Sequence, residues 1–236
     1  MLNRLVTSPR PVPPRQWPAD GTLVTLAGIA VDVQRIPVLR GLDLAVTAGE
    51  AVGVSGANGS GKSTLLHVLA TLLRPSAGRG RVLGAELGTR ACMAVRPWIA
   101  LVGHSPGLHP QLTLGENLHF LARLTGRTTR CADVALDQVG LARAADRRAA
   151  GCSQGMLRRA ELARVLLTEP SLLLLDEAHT GLDPTAAALV DHVVDRVRRD
   201  GGAAVVVSHE PARLVTTDRL VEVVDGRAIA VGRCDP

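Results

Sequence analysis

Between Thr22 and Val46 apolar residues come in short alternating runs, Leu23-Val-Thr-Leu26, Val31-Asp-Val33 and Leu42-Asp-Leu44-Ala-Val46. Alternation with a period of two turns one face of an extended chain toward a core, so this stretch predicts an antiparallel sheet. Ala51-Val-Gly-Val-Ser55 is apolar throughout, the pattern of a buried strand, and a helix is predicted from Ser63 to Leu73. A further strand is read in Ile99-Ala-Leu-Val-Gly-His104. From about Leu114 to Leu167 Ala, Leu and Arg recur at helical spacing, which predicts a mostly helical portion before the next strand. Strand-like runs return at Leu172 to Leu175 and Ala203 to Val207, and Leu220 to Ile229 reads as a hairpin whose Asp225-Gly226 pair suits a two-residue turn.

At 236 residues the chain can build one large α/β domain with an inserted subdomain. Lys and Arg number 27 against 22 acids, a net charge of +5. That suits a phosphate-binding protein or one near anionic lipid, but it is too mild to point to nucleic acid, and no arginine-aromatic stripe is present. Cys92, Cys131, Cys152 and Cys234 lie far apart without metal-ligand spacing, so reduced thiols in a cytosolic setting are expected. No window of about 18 apolar residues is free of charge, so any membrane role must come through partners. Residues 1–21, with five prolines among scattered arginines, read as a flexible extension rather than a signal peptide, and 22–236 as the folded domain.

The chemistry centres on Gly56-Ala-Asn-Gly-Ser-Gly-Lys-Ser63, two glycines bracketing four residues before Lys and Ser, placed between the strand at 51–55 and the predicted helix. Glycine lets the backbone curl so that successive N–H groups face phosphate oxygens, and the following helix adds its positive end. The loop Gly56, Ala57, Asn58, Gly59, Ser60 and Gly61 would cradle a nucleoside triphosphate while Lys62 neutralises its β- and γ-phosphates. Ser63 supplies a hard oxygen for Mg²⁺, and Thr64 is placed to donate to an inner phosphate. Leu172 to Leu175 ends in Asp176-Glu177, at the carboxyl end of a buried strand where open parallel sheets put their ligand chemistry. Asp176 would hold Mg²⁺, and Glu177 would polarise the attacking water. Upstream, Ser153 is well suited to cap a helix running through Leu157 to Leu167 and stopping by Pro170.

Cys152-Ser-Gln-Gly-Met156 before the acidic strand resembles the signature of ATP-binding-cassette (ABC) ATPases, and from residue 22 onward the motif order is similar to that family. The resemblance implies a P-loop NTPase fold with a mostly parallel core sheet, an N-terminal antiparallel β subdomain and an inserted helical subdomain at about 90–165. It also implies that Ser153 and Gly155 complete the phosphate site of a second cassette, so that ATP drives a dimer. Thr180-Gly-Leu-Asp183 looks like the loop that signals between cassettes, with Asp183 near nucleotide. His209, ending Val205-Val-Val-Ser-His209, looks like the switch histidine that contacts the γ-phosphate. His67, His109, His119, His179 and His192 are read as structural. His104, or Ser105 with a slipped register, stands where the family has a Mg²⁺-sensing glutamine. Gln154 and Met156 depart from the signature, and Ala178 replaces a common proline; none of these removes a phosphate or Mg²⁺ ligand. The aromatic that usually stacks on adenine is missing near Val33, which leaves Trp17 or aliphatic surface and predicts weak base selectivity.

Val102 to Phe120, with Gly-His-Ser-Pro-Gly-Leu at one end and Glu-Asn-Leu-His-Phe at the other, resembles the haem-exporter ATPases of bacterial cytochrome c maturation. Those act with integral membrane permease subunits at the cytoplasmic face of the cell membrane, which makes Gly103 to Phe120 the candidate docking surface. An export cassette for a drug, lipid or polysaccharide fits the same motifs. A soluble cassette of translation or DNA repair is a third reading, although such proteins usually carry two cassettes or a long coiled-coil insertion.

Overall fold

Alternation is carried furthest in β1 (Thr22–Val33) and β2 (Ile36–Thr47), which bury Leu39, Leu42, Leu44 and Val46 on one face and leave Arg40, Asp43 and Thr47 in solvent. The remaining strands are β3 (Ala51–Ser55), β4 (Ala77–Val82), β5 (Ala85–Glu86), β6 (Ile99–Val102), β7 (Leu172–Asp176), β8 (Ala203–Val207), β9 (Arg219–Val224) and β10 (Arg227–Arg233). The helices are α1 (Lys62–Leu69), α2 (Ala91–Val95), α3 (Leu114–Leu124), α4 (Thr129–Gln138), α5 (Gln154–Thr168) and α6 (Pro184–Arg199). This computed structural model describes residues 21–103, 105–179 and 184–233. Residues 1–20 with Trp17, His104, Thr180 to Asp183 and Cys234 lie outside the described residues.

The described residues divide into two compact units, one holding both sheets and one holding 105–169 and 184–193. In the sheet unit β2, β1, β4 and β5 form an antiparallel sheet in that order. The β1–β2 register breaks between Leu26 and Ile29, where the Asp43 carboxylate accepts the Gly28 N–H at 2.7 Å. The second sheet runs β10-β9-β3-β8-β7-β6 and is parallel apart from β10. Its central strands carry no polar face: Leu172 to Leu175 and all of β8 are buried, as expected of strands covered on both sides. One apolar cluster joins Leu23, Leu42, Leu65, Leu69, Val52, Leu174 and Val205, drawn from both sheets and α1.

α1 begins one residue earlier than its pattern predicts and ends four earlier. Thr71 takes a positive φ of 59°, and the N–H groups of Leu72 and Leu73 turn back to the His67 carbonyl, which closes the helix at Leu69.

In the helical unit α3, α4 and α5 pack together, and Leu118, Ala122, Ala132, Leu136 and Ala160 on them are buried. α3 opens on a capping box, with Thr113 Oγ1 accepting the Glu116 N–H at 3.0 Å and Glu116 accepting the Thr113 N–H at 2.8 Å. α5 opens on Ser153, whose hydroxyl accepts the Met156 N–H at 3.3 Å, and closes at Glu169 (φ 46°) before Pro170. α6 is divided between the units at Val193 and Val194. Among the described residues no helix is long and apolar enough to cross a membrane.

Candidate nucleotide site

The phosphate loop links β3 to α1, and two of its glycines have no substitute. Gly56 sits at φ 140°, where a Cβ would lie 2.4 Å from the Val223 carbonyl oxygen. Gly61 sits at φ 110° as the N-cap of α1, where a Cβ would lie 2.8 Å from Leu39 Cδ2. Lys62, only 8% exposed, donates to the carbonyls of Gly56 at 2.7 Å and Ala57 at 2.9 Å, so its ammonium lies beneath the loop. Ser60 Oγ is buried within the loop with no hydrogen-bond partner among the described residues.

β7, separated from β3 by β8, delivers Asp176 and Glu177 to the same place. Asp176 lies opposite Val207 of β8, which brings the residues just past the two strand ends together. Glu177 turns out of the strand at φ 52° while its N–H donates to Val207 O at 3.0 Å. Its carboxylate accepts the His209 main-chain N–H at 3.0 Å and meets His209 Nδ1 at 2.8 Å. The hydrogen bond to Glu177, then its charge, raises the exposed His209 above the ordinary histidine range.

A cleft of about 300 Å³ is lined by Val38, Asn58, Gly59, Gly61, Lys62, Ser63, Thr64, Asp176 and Glu177. Loop glycines, a lysine, two hydroxyls and two acids thus share one cavity, and the buried Ser60 hydroxyl lies in its loop; these groups fit a triphosphate. Ser63 and Asp176 are hard oxygen donors on that wall, the small protein contribution typical of Mg²⁺ held largely by phosphates and water.

Of the other residues read from sequence, Gly56, Ala57 and Ser60 shape the loop, and His209 reaches the site through Glu177. Ser153 and Gly155 lie at the start of α5, in the helical unit, and a Cβ on Gly155 would meet nothing within 4 Å. His104 and Asp183 fall outside the described residues. His119 pairs with Asp133 at 2.6 Å between α3 and α4, and His179 is buried. Sequence reasoning missed Val38, which forms one wall, and the hairpin carbonyl of Val223 behind Gly56. No local signal marks either, because both depend on strand neighbours far away in the chain.

A glycine loop between strand and helix, with a buried lysine and two acids at the end of a parallel strand one place further along the sheet, defines a P-loop nucleoside triphosphatase. The ABC transporter family profile matches residues 39–180. The chain is 42% identical over 177 residues to the cytochrome c biogenesis ATP-binding export protein CcmA of Cupriavidus pinatubonensis, covering 73% of this chain and 77% of that protein. It is 40% identical over 222 residues to the daunorubicin resistance ATP-binding protein DrrA3 of Streptomyces coeruleorubidus, covering 91% and 69%. Its fold matches a dimeric ATP-binding cassette bound to ADP and Pi with a TM-score of 0.83 at 23% identity, covering 90% of this chain and 99% of that one. A solved ATP-binding subunit of an ABC transporter matches with a TM-score of 0.83 at 27% identity, covering 91% of each chain. The chain belongs to the ABC transporter family, and it is an ATP-binding, ATP-hydrolysing cassette of that family.

Proposed function

We propose that this subunit drives haem export or delivery in bacterial cytochrome c maturation, as one of two cassettes under an integral membrane permease at the cytoplasmic face of the cell membrane. The observation that carries the proposal is the 42% identity to the cytochrome c biogenesis protein over most of both chains. The run from Val102 to Phe120 supports it.

Within the site, loop N–H groups from Gly56 to Lys62 bind the phosphates and Lys62 offsets their charge. Ser63 and Asp176 would hold Mg²⁺, which spreads charge off the phosphates when bound. Thr64 donates to an inner phosphate, Glu177 takes a proton from water, and His209 is placed to donate toward the γ-phosphate. Ser153 and Gly155 of the facing cassette close the site, with Asp183 between the two copies and His104 in the Mg²⁺-sensing slot. The segment Gly103 to Phe120 receives the permease.

A second reading has its own observation: the daunorubicin-resistance relative aligns with 91% of this chain. Complementation separates the two. In a strain lacking its own cytochrome c biogenesis ATPase, this chain restores haem-stained c-type cytochromes, while Lys62→Ala and Glu177→Gln do not. Failure of the parent chain there, with gain of daunorubicin tolerance in a sensitive host, replaces the haem reading with drug export.

A further inference from the structure

The segment entering α3 is stitched to the segment that precedes Ser153. Ala150 N donates to Pro110 O at 2.9 Å, Ala149 N to Leu112 O at 3.0 Å, Leu114 N to Arg147 O at 3.0 Å and Gly115 N to Ala145 O at 2.8 Å. Thr113 and Arg148 face each other as an antiparallel bridge at the centre of this ladder. Asn117 locks the middle of the loop, accepting the His109 N–H at 2.7 Å and donating to His109 O at 3.1 Å.

The far end of the loop is held by a buried charge. Glu161 on α5 is 1% exposed and lies among the buried Ala160, Leu162 and Ala163. Its Oε1 accepts the Gly107 N–H at 3.1 Å, and Arg164 Nη1 reaches Oε1 at 2.8 Å and Oε2 at 2.9 Å. A Cβ on Gly107 would lie 2.6 Å from Arg164 Nη1. A carboxylate in such surroundings is tolerated only where donors meet it, and an apolar residue there would pack at less cost. What the charge adds is direction: it fixes where Gly107 sits on α5, two turns beyond Ser153.

We propose that Glu161 is a positioning residue which, with Arg164, pins the loop at 107–114 to the helix that Ser153 caps. Loop and serine then shift as one piece, and pressure from a membrane subunit on the loop is felt at the nucleotide of the facing cassette. The inference rests on the paired-cassette, permease-driven reading above.

The test uses the purified full chain with Glu161→Gln and Gly107→Ala, the second of which leaves α5 unaltered. ATP turnover with Mg²⁺, affinity for a fluorescent ATP analogue, and gel filtration with ATP in a Glu177→Gln background are measured together. Both variants are expected to bind the analogue as the parent does, because the phosphate loop belongs to the other unit. Their kcat should fall by about tenfold, with ATP-dependent pairing weakened to match. Combining them should cost no more than either alone, as two ends of one contact. Parent-like kcat in Gly107→Ala, additive losses, or an equal loss of nucleotide affinity would overturn the assignment. If the Glu177→Gln chain never pairs with ATP, the paired-cassette reading fails and takes this inference with it. If it pairs and Gly107→Ala pairs as well, only the role of Glu161 falls.

Discussion

Glu177 leaves the ordinary backbone range at φ 52°, a conformation that costs a non-glycine residue on the order of 1 kcal/mol and is kept where a side chain must be aimed. The turn directs its carboxylate at both the main chain and the ring of His209. Because Glu177 raises the His209 pKa, the pair's contribution is fully present below the ordinary histidine pKa and is lost as pH rises through the raised one. The His209 ring should therefore titrate, by NMR, above the usual ~6.5. In Glu177→Gln the midpoint should drop back toward that value; an unchanged midpoint would show that another group sets it. The acids, the lysine and the loop were legible in sequence because phosphate chemistry demands those residue types at short, fixed spacing. The φ of Glu177 was not, since it answers to Val207 and His209 on the next strand.

Among the elements, the hairpin of β9 and β10 turns at Asp225 (φ 47°) and Gly226 (φ 76°), as the Asp-Gly pair predicts. The pattern does not reveal what that turn abuts. A Cβ on Gly226 would lie 2.2 Å from Val38 O, and Gly226 O accepts the Arg40 N–H at 2.9 Å, so the turn fits against β2 where Val38 walls the nucleotide cleft. Gly226→Ala must push β2 away, destabilising the fold by about 1–3 kcal/mol. With the wall displaced, ATP affinity should weaken by roughly tenfold, measurable by titration calorimetry. Parent-like affinity in a folded Gly226→Ala chain would detach the hairpin from the site. The elements absent from the sequence reading, β4, β5, α2 and α6, differ in kind. β4 carries Gly78 and Gly80 and β5 has two residues, too little for periodicity to register. α6 buries Val190, Val193, Val194 and Val197, a helical stripe that was there to be read.

For the molecule as a whole, both sheets and the helical insertion follow from the order of runs, whereas the strand order does not, because β3 takes its neighbours from residues more than 140 positions away. The tip of the β1–β2 hairpin presents exposed Val33 and Ile36, and Val38 lines the cleft; the described lining holds no aromatic ring. Without a ring, about 1–3 kcal/mol of base stacking is missing. ATP and GTP should then be hydrolysed with kcat/KM values within about tenfold of each other, a difference of no more than about 1.4 kcal/mol. A hundredfold preference for ATP would reveal a base contact, with Trp17 the first residue to replace.

Strand order also sets a timetable for a chain emerging from the ribosome. β3, which ends at Ser55 just before the phosphate loop, is hydrogen-bonded to β8 on one side and β9 on the other, and the carbonyl packed behind Gly56 is that of Val223. The loop is synthesised long before either of its strand neighbours. A nascent chain halted before β9 would expose an apolar strand with an unpaired edge, a state prone to misassociation. Until the hairpin of β9 and β10 has been made, the phosphate loop lacks the carbonyl that packs behind Gly56.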